Sequence, residues 1–428
     1  MSSIPTSKHF VYRDGEYHAE GVPLSRIAEQ VGTPSFVYSG SAIDEAYRDV
    51  DAALGRGAHL VAYAMKANGN LAILSRLGRL GSGVDIVSGG ELARALKAGI
   101  AAERIVFSGV GKTADEIRTA LQAGVRSLHA ESVSEVELIE KIAREMAVVA
   151  PISLRVNPNV DAKTHPYIST GLHSTKFGMP FDTARSLLPM LLASSHLRFD
   201  GLACHIGSLV LDPTPIGDAV ALVAEFAVEC TRAGAKLRSI DAGGGWPILY
   251  GNEGHAAAPF SAFGAAVLVG IKRGGAEQLG LEVMVEPGRC IVGDAGVLLT
   301  RVMYIKEQSG KRFAIVDAAM TELIRPALYK AHHAIVPVRQ HDPNAPLLMT
   351  DVVGPVCESS DFLALDRQLP ELHEGDLIAI RGAGAYGAVM SSEYNARPRA
   401  AEVMVDGSDS RLVRRRGKIE DLWRDEEL

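Results

Sequence analysis

The sequence predicts an α/β protein: a (β/α)8 barrel followed by an antiparallel β domain that also takes the N-terminal strands. Two observations predict the barrel and a third the second domain. From about residue 59, short apolar runs alternate with amphipathic helical stretches, the pattern of parallel strands joined by crossover helices. There are eight such runs, the number that closes a barrel. After about residue 290 the rhythm gives way to β-branched runs broken by Gly, Pro and Asp, as in antiparallel sheets.

The eight expected strands are Leu60–Met65, Val84–Val87, Ile105–Ser108, Ser127–Ala130, Ile152–Val156, Gly201–His205, Ser239–Ala242 and Glu282–Val285. Helical patterns fall between them, among them Gly90–Ala98, Ala114–Ala123, Ser134–Met146, Thr183–Leu192 and Gly217–Ala233. An open doubly wound sheet is the main alternative, and it is disfavoured because no G-x-G-x-x-G follows the first strand. The later strands are expected at Arg301–Ile305, Phe313–Asp317, Ala334–Val338, Asp351–Val356, Asp376–Ile380 and Ala400–Val405. Upstream, His9–Tyr12 and Pro34–Tyr38 read as strands around a short helix, Pro23–Val31. They have no place in the barrel count, so they are expected to join the β domain. The domains are therefore 1–38, 39–290 and 291–428, the last a sandwich or barrel-like β domain. The charged tail, Arg411–Leu428, reads as a solvated terminal segment.

The 428 residues are 47% hydrophobic and 22% charged, the profile of a globular protein with a large core. A net charge of −7 offers no electrostatic footing for nucleic acid or an anionic membrane. No apolar run is long enough to span a bilayer, and Met1–Phe10 lacks a signal-peptide core. Cys204, Cys230, Cys290 and Cys357 have neither metal-site spacing nor the density of a disulfide scaffold. The expected compartment is the reducing cytoplasm, with no metal.

Active sites of such barrels lie at the carboxyl ends of the strands, so the residues that end each strand are the candidates. Strand one runs through Tyr63-Ala64-Met65 into Lys66, then a turn of Ala67-Asn68-Gly69-Asn70. A lysine set against an apolar wall suits a nucleophilic amine, and such an amine serves carbonyl chemistry of the kind done with pyridoxal phosphate. Asp85 lies within strand two. Strand five contains Arg155 and ends in Asn157. Strand six ends in His205-Ile206-Gly207-Ser208, strand seven in Asp241-Ala242-Gly243-Gly244-Gly245, and strand eight in Glu286-Pro287-Gly288-Arg289.

The glycine triplet lets backbone N–H groups approach a phosphate closely, and the loops after strands seven and eight are where barrels often bind one. Glu286 could keep a pyridine nitrogen protonated, or could be a buried acid paired with Arg289 or Arg155. His205 could stack on a ring or sit as an ordinary core histidine. In the β domain, Gly354–Asp361 (GPVCESSD) sets the Cys357 thiol beside Glu358. Ala383–Gly387 (AGAYG) sets Tyr386 among small residues, and Arg325–Tyr329 (RPALY) supplies a guanidinium and a phenol suited to a carboxylate.

Taken together, these motifs resemble the pyridoxal-phosphate-dependent decarboxylases of the alanine racemase-like fold. The likeness covers nearly the whole chain. It rests on YAMKAN around Lys66, THPYISTGLHSTKFG from Thr164 to Gly178, HIGS at His205, GGG at Gly243, EPGR at Glu286, RPALY at Arg325, GPVCESSD at Gly354 and GAY at Gly384. The THPYISTG and RPALY stretches resemble the diaminopimelate-acting branch rather than the ornithine or arginine branches.

The resemblance implies roles residue by residue. Lys66 is similar to the Schiff-base lysine, His205 to the residue stacked on the ring, and Glu286 to the partner of the pyridine nitrogen. Asp85, Ser208, Gly243, Gly244, Gly245, Glu286, Pro287, Gly288, Arg289 and Tyr386 match cofactor positions. Arg289, Arg325, Tyr329 and Tyr386 match positions that meet the amino-acid substrate. Glu358 resembles the residue that receives its distal amino group, and Cys357 the proton donor. The last two come from a second subunit in this family, so a homodimer is implied. The activity implied is conversion of meso-2,6-diaminopimelate to L-lysine and carbon dioxide. Rival readings are a decarboxylase of another amino acid, a racemase of the same fold, for which Glu286 is the wrong ring partner, and a non-catalytic regulatory homologue.

Overall fold

The computed structural model describes residues 7–161, 175–253 and 257–428. Most of the THPYISTGLHSTKFG stretch lies outside them. The chain divides into two compact units. One comprises Ala46–Pro247 with Ala257–Gly288, and the other Met1–Glu45, Ile248–Ala256 and Arg289–Leu428.

The first unit is a closed parallel barrel of eight strands: His59–Ala64, Gly83–Ile86, Ile105–Phe107, Ser127–Ala130, Ala150–Arg155, Leu197–Ala203, Ser239–Asp241 and Glu282–Val285. Each pairs in parallel with the next, and the eighth closes on the first through Val285 opposite Val61. Alternation along the strands explains the two-sided burial. Leu60, Ala62, Val106 and Met284 form an apolar cluster, while the intervening Val61 and Tyr63 are equally buried.

Local signals start and stop the crossover helices. Asn70 accepts from Ala72 N–H at 2.9 Å and opens Leu71–Arg79. Ser88 and Ser132 do the same for Gly89–Lys97 and Val133–Glu145. Thr113 and Glu116 form a reciprocal capping box at Ala114–Ala123, which ends on the left-handed Gly124. The expected single helix Thr183–Leu192 is instead two short ones, Phe181–Ser186 and Leu188–Ala193, because Pro189 opens the second. Helices Thr214–Arg232 and Phe260–Arg273 pack so closely that a Cβ on Gly270 would strike the Gly217 carbonyl and Val220.

In the second unit a nine-stranded sheet is built around the long strand Gly296–Gln308. Ser35–Ser39 pairs with it, so that N-terminal strand does belong to the β domain. Phe10–Arg13, Glu16–Ala19 and Val22–Pro23 form a small sheet of their own. Their apolar faces, with helix Leu24–Val31, share one core with Val297, Leu299, Val336 and Val403. The large sheet is mixed: Lys311–Val316 runs parallel to Leu347–Val353, and Ser35–Ser39 parallel to Ala401–Asp406. Two strands are additional to the expected set, Phe362–Pro370 and Asp409–Arg414. The second corrects the reading of the tail, whose first charged residues are edge-strand residues paired with Ala401–Asp406.

Candidate active site

Within the barrel unit the strand ends converge as expected. Strands eight, one and two are neighbours, so Glu286, Lys66 and Asp85 stand side by side at one mouth. The Pro287 carbonyl accepts from Ala64 N–H at 3.0 Å, and Gly288 lies so close to Ala64 and Ala67 that a side chain there would crowd both. Lys66 sits in a single tight turn, Met65–Ala67, between two fully buried neighbours. The buried Tyr63 hydroxyl donates to the Asn68 carbonyl at 2.9 Å and holds that turn.

The wall around Lys66 is not wholly apolar, as the sequence suggested. Its Nζ donates to Asp85 Oδ2 at 2.9 Å, and Asp85 is completely buried. Glu286 is paired with neither of the arginines considered for it. It accepts from Ser108 Oγ at 3.3 Å and lies 3.7 Å from His129 Nδ1, while Arg155 pairs with Glu131 at 3.0 Å. Asp241, from strand seven, completes a buried group in which His129, Asp241 and Glu286 each bring a polar atom within 4.8 Å of the others. Burial raises the proton affinity of both acids, and their mutual repulsion raises it further for Glu286. Burial also drives the His129 pKa down to about 3, so that ring is neutral. Ser108 and His129 are residues the sequence did not single out as functional, whereas Asp241 was among the strand-end candidates. The signal was present, since Ser108 directly follows the third strand and His129 is the last residue but one of the fourth.

His205 accepts from Gly244 N–H at 3.0 Å through Nδ1. Enclosure in protein lowers its pKa well below the usual value, and the positive charges of Lys66 and Arg155 lower it further. The charges of Lys66 and Arg155 thus act on both His205 and Glu286, as charges at one mouth must.

The glycine triplet behaves differently from a uniform row of donors. Gly243 N–H goes to Asp241 Oδ1 at 2.8 Å and Gly244 N–H to His205, so among the described residues Gly245 N–H is the one left for a ligand. Gly245 has φ +95°, and a Cβ there would strike the Gly207 carbonyl, next to Ser208. The orphaned, buried Oδ1 of Asp85 and Oδ2 of Asp241 mark the same mouth as built for a polar occupant.

The second unit holds the remaining candidates. Arg289 and Arg325 are buried, at 6% and 4% exposure. Arg289 Nη1 donates to Tyr250 Oη at 2.8 Å, and its guanidinium lies 4.6 Å from the Tyr386 ring. Tyr386 has φ +56°, a left-handed conformation that aims the ring at the arginine. Arg325 opens the short helix Arg325–Tyr329, with its guanidinium 4.6 Å from the Tyr250 ring, and Tyr329 is half-buried. Cys357 and Glu358 are exposed on a closed loop. Asp361 holds that loop by accepting from Val356 N–H at 2.7 Å and Met320 N–H at 2.6 Å, and Cys357 N–H donates to Asn395 at 2.8 Å.

A family model described as pyridoxal-dependent decarboxylase, pyridoxal binding domain, matches residues 41–293. A diaminopimelate decarboxylase of Pseudomonas aeruginosa is 49% identical over 98% of this chain and 99% of its own. The chain belongs to the diaminopimelate decarboxylase family. A crystal structure of the Helicobacter pylori member complexed with L-lysine superposes with a TM-score of 0.89 at 43% identity, covering 94% of this chain and 98% of that one. The M. jannaschii member in co-complex with L-lysine gives 0.93 at 34% identity, with 98% of each chain covered. Family membership accounts for what the mouth contains. A pyridoxal ring calls for an amine, an acid at its nitrogen and N–H donors for its phosphate, and the mouth holds an amine in Lys66, a buried acid in Glu286 and an uncommitted N–H, among the described residues, in Gly245.

Proposed function

We propose that the chain decarboxylates meso-2,6-diaminopimelate to L-lysine and carbon dioxide with pyridoxal 5'-phosphate as cofactor. The observation that carries this reading is the adjacency of Lys66 and Glu286 on strands one and eight, with Asp85 paired to the lysine. Bound pyridoxal phosphate supplies an aldehyde for an amino group and a ring that accepts the electron pair left when carbon dioxide departs.

The residues have these roles. Lys66 holds the aldehyde, and Asp85 keeps its amine oriented. Glu286 holds a proton at the ring nitrogen, a task its raised proton affinity suits. His205, neutral and fixed by Gly244, offers a flat face to the ring. Gly245 N–H and Ser208 face the phosphate, with the backbone of Gly243, Gly244, Pro287 and Gly288 shaping the turn. Arg289, Arg325, Tyr329 and Tyr386 provide cations and hydroxyls for carboxylate recognition. Glu358 takes the distal ammonium and Cys357 delivers a proton to Cα. The thiol and carboxylate project from a rigid, exposed loop, which supports their serving a second copy of the chain in a homodimer. Among the described residues no helix is long and apolar enough to cross a membrane. The four cysteines are free, which supports a reducing compartment, the cytoplasm.

The test is lysine and carbon dioxide formation from meso-diaminopimelate by wild type and Lys66→Ala, with ornithine and arginine as competing substrates. Turnover of either competitor in preference to diaminopimelate refutes the substrate assignment. Turnover by Lys66→Ala at the wild-type rate refutes the mechanism.

A further inference from the structure

We infer that His333 is a positioning residue: it fixes the donor fork of Arg325 for a substrate carboxylate, across the shared platform of Tyr250. The inference rests on the reading that Arg325 meets that carboxylate.

The helix Arg325–Tyr329 ends on Lys330 in a left-handed turn, and the chain doubles back to bring His333 beside the arginine eight residues earlier. His333 is completely buried. Its Nε2 lies 2.8 Å from Arg325 Nη1, and its Nδ1 lies 2.8 Å from the Arg381 carbonyl. A guanidinium only donates and a carbonyl only accepts. The ring must therefore be neutral, with its proton on Nδ1 and its lone pair on Nε2 aimed at Arg325. Burial and the neighbouring Arg325 charge, which lower the His333 pKa well below the usual value, favour the same state.

Tyr250 ties the pieces together. Its ring lies beneath the Arg325 guanidinium, meets the His333 ring edge-on at 5.0 Å and 73°, and its hydroxyl accepts from Arg289. Among the described residues no carboxylate pairs with Arg325. A buried guanidinium held by a neutral ring nitrogen and a π face is incompletely compensated, which is the state of an anion receptor before its anion arrives. His333 orients the fork without neutralising it, as an aspartate in its place would.

Two substitutions separate this role from plain packing. Glutamine places an acceptor near Nε2, whereas asparagine reaches only the Nδ1 position and keeps the contact with the Arg381 carbonyl. For the holoenzyme acting on meso-diaminopimelate, His333→Asn is expected to raise KM about tenfold with kcat within about twofold, and His333→Gln to restore KM to within about threefold. L-lysine keeps the carboxylate distal to the reacting carbon, so its inhibition is expected to weaken along with KM in His333→Asn and to recover in His333→Gln, whereas inhibition by 1,5-diaminopentane, which lacks that carboxylate, is expected to be unchanged in both. An unchanged KM in His333→Asn, equal weakening of 1,5-diaminopentane and substrate, or a His333→Gln variant no better than the asparagine one overturns the proposal. Arg325→Gln is the control. If it leaves KM unchanged, the carboxylate reading of Arg325 falls and this inference with it; if it raises KM while His333→Asn does not, only the positioning role falls. Should the His333 variants fail to fold, nitrogen NMR of the wild-type holoenzyme decides: a proton on Nε2 of His333 refutes the assignment.

Discussion

The Lys66 ammonium lies 2.9 Å from the Asp85 carboxylate, and the carboxylate has no exposed surface while the lysine side chain keeps 36% of its own. The pair thus joins a fixed, buried anchor to an amine on a partly exposed side chain. Asp85 is positioned by strand register, since Ala64, two residues before the lysine, lies opposite it. Replacing Asp85 with alanine leaves Lys66 without its anchor. Cofactor affinity is expected to fall about tenfold, equivalent to about 1.4 kcal/mol, read by titrating apoenzyme with pyridoxal phosphate. Unchanged affinity would show that the ion pair does not orient the amine.

Glu286→Gln keeps the shape of the ring-nitrogen partner but removes its charge and its capacity to hold a proton. Decarboxylation is expected to drop by about 10²–10³-fold while the cofactor stays bound. The visible absorbance of the bound cofactor checks retention and carbon dioxide release checks turnover. A variant within a few-fold of wild type would remove Glu286 from the mechanism.

The Asp241 carboxyl is pushed up to about 6 by burial, against an ordinary 3.8. A folded-state pKa above the unfolded one contributes stability at pH below about 3.8, and that contribution is lost as pH rises through about 6. For apoenzyme, the difference in unfolding free energy between Asp241→Asn and wild type should therefore grow in favour of the variant between these two values. His129 and Glu286 lie within 4.8 Å of Asp241, so the difference reports the titration of this three-residue group rather than of one carboxyl alone. A difference that is flat with pH would show that Asp241 is not held protonated by its surroundings.

Gly245→Ala introduces a methyl group at φ +95°, against the Gly207 carbonyl. The strain is expected to cost about 1–3 kcal/mol and to move the one N–H of the triplet not committed among the described residues. Thermal unfolding measures the first effect, and inorganic phosphate competition against cofactor binding the second. Wild-type behaviour in both would put the phosphate elsewhere.

Cys357 is exposed, so Cys357→Ala should leave thermal stability within about 0.5 kcal/mol of wild type. Its activity should fall steeply. If the thiol serves the partner's lysine, mixing inactive Cys357→Ala and Lys66→Ala proteins should restore about a quarter of wild-type activity, because half the reassorted dimers carry one intact site of two. No recovery on mixing, with exchange verified by mass spectrometry, would confine each site to its own chain.

Local sequence determined the barrel strands, the cap residues of their helices and the residues that end each strand, because periodicity, capping and turn chemistry act within a few residues. Lys66, Glu286 and the glycine triplet were legible for that reason. The edge strand Asp409–Arg414 was not, since its charged residues resemble a solvated tail until a neighbour pairs with them. Only the tertiary structure decided the company that the strand ends keep. Ser108 meets Glu286 across 178 residues, Arg155 turns to Glu131, and His333 finds Arg325 through a left-handed turn. Barrel closure selects the first two contacts and chain reversal the third, and both follow from how the whole chain packs, which no short stretch encodes.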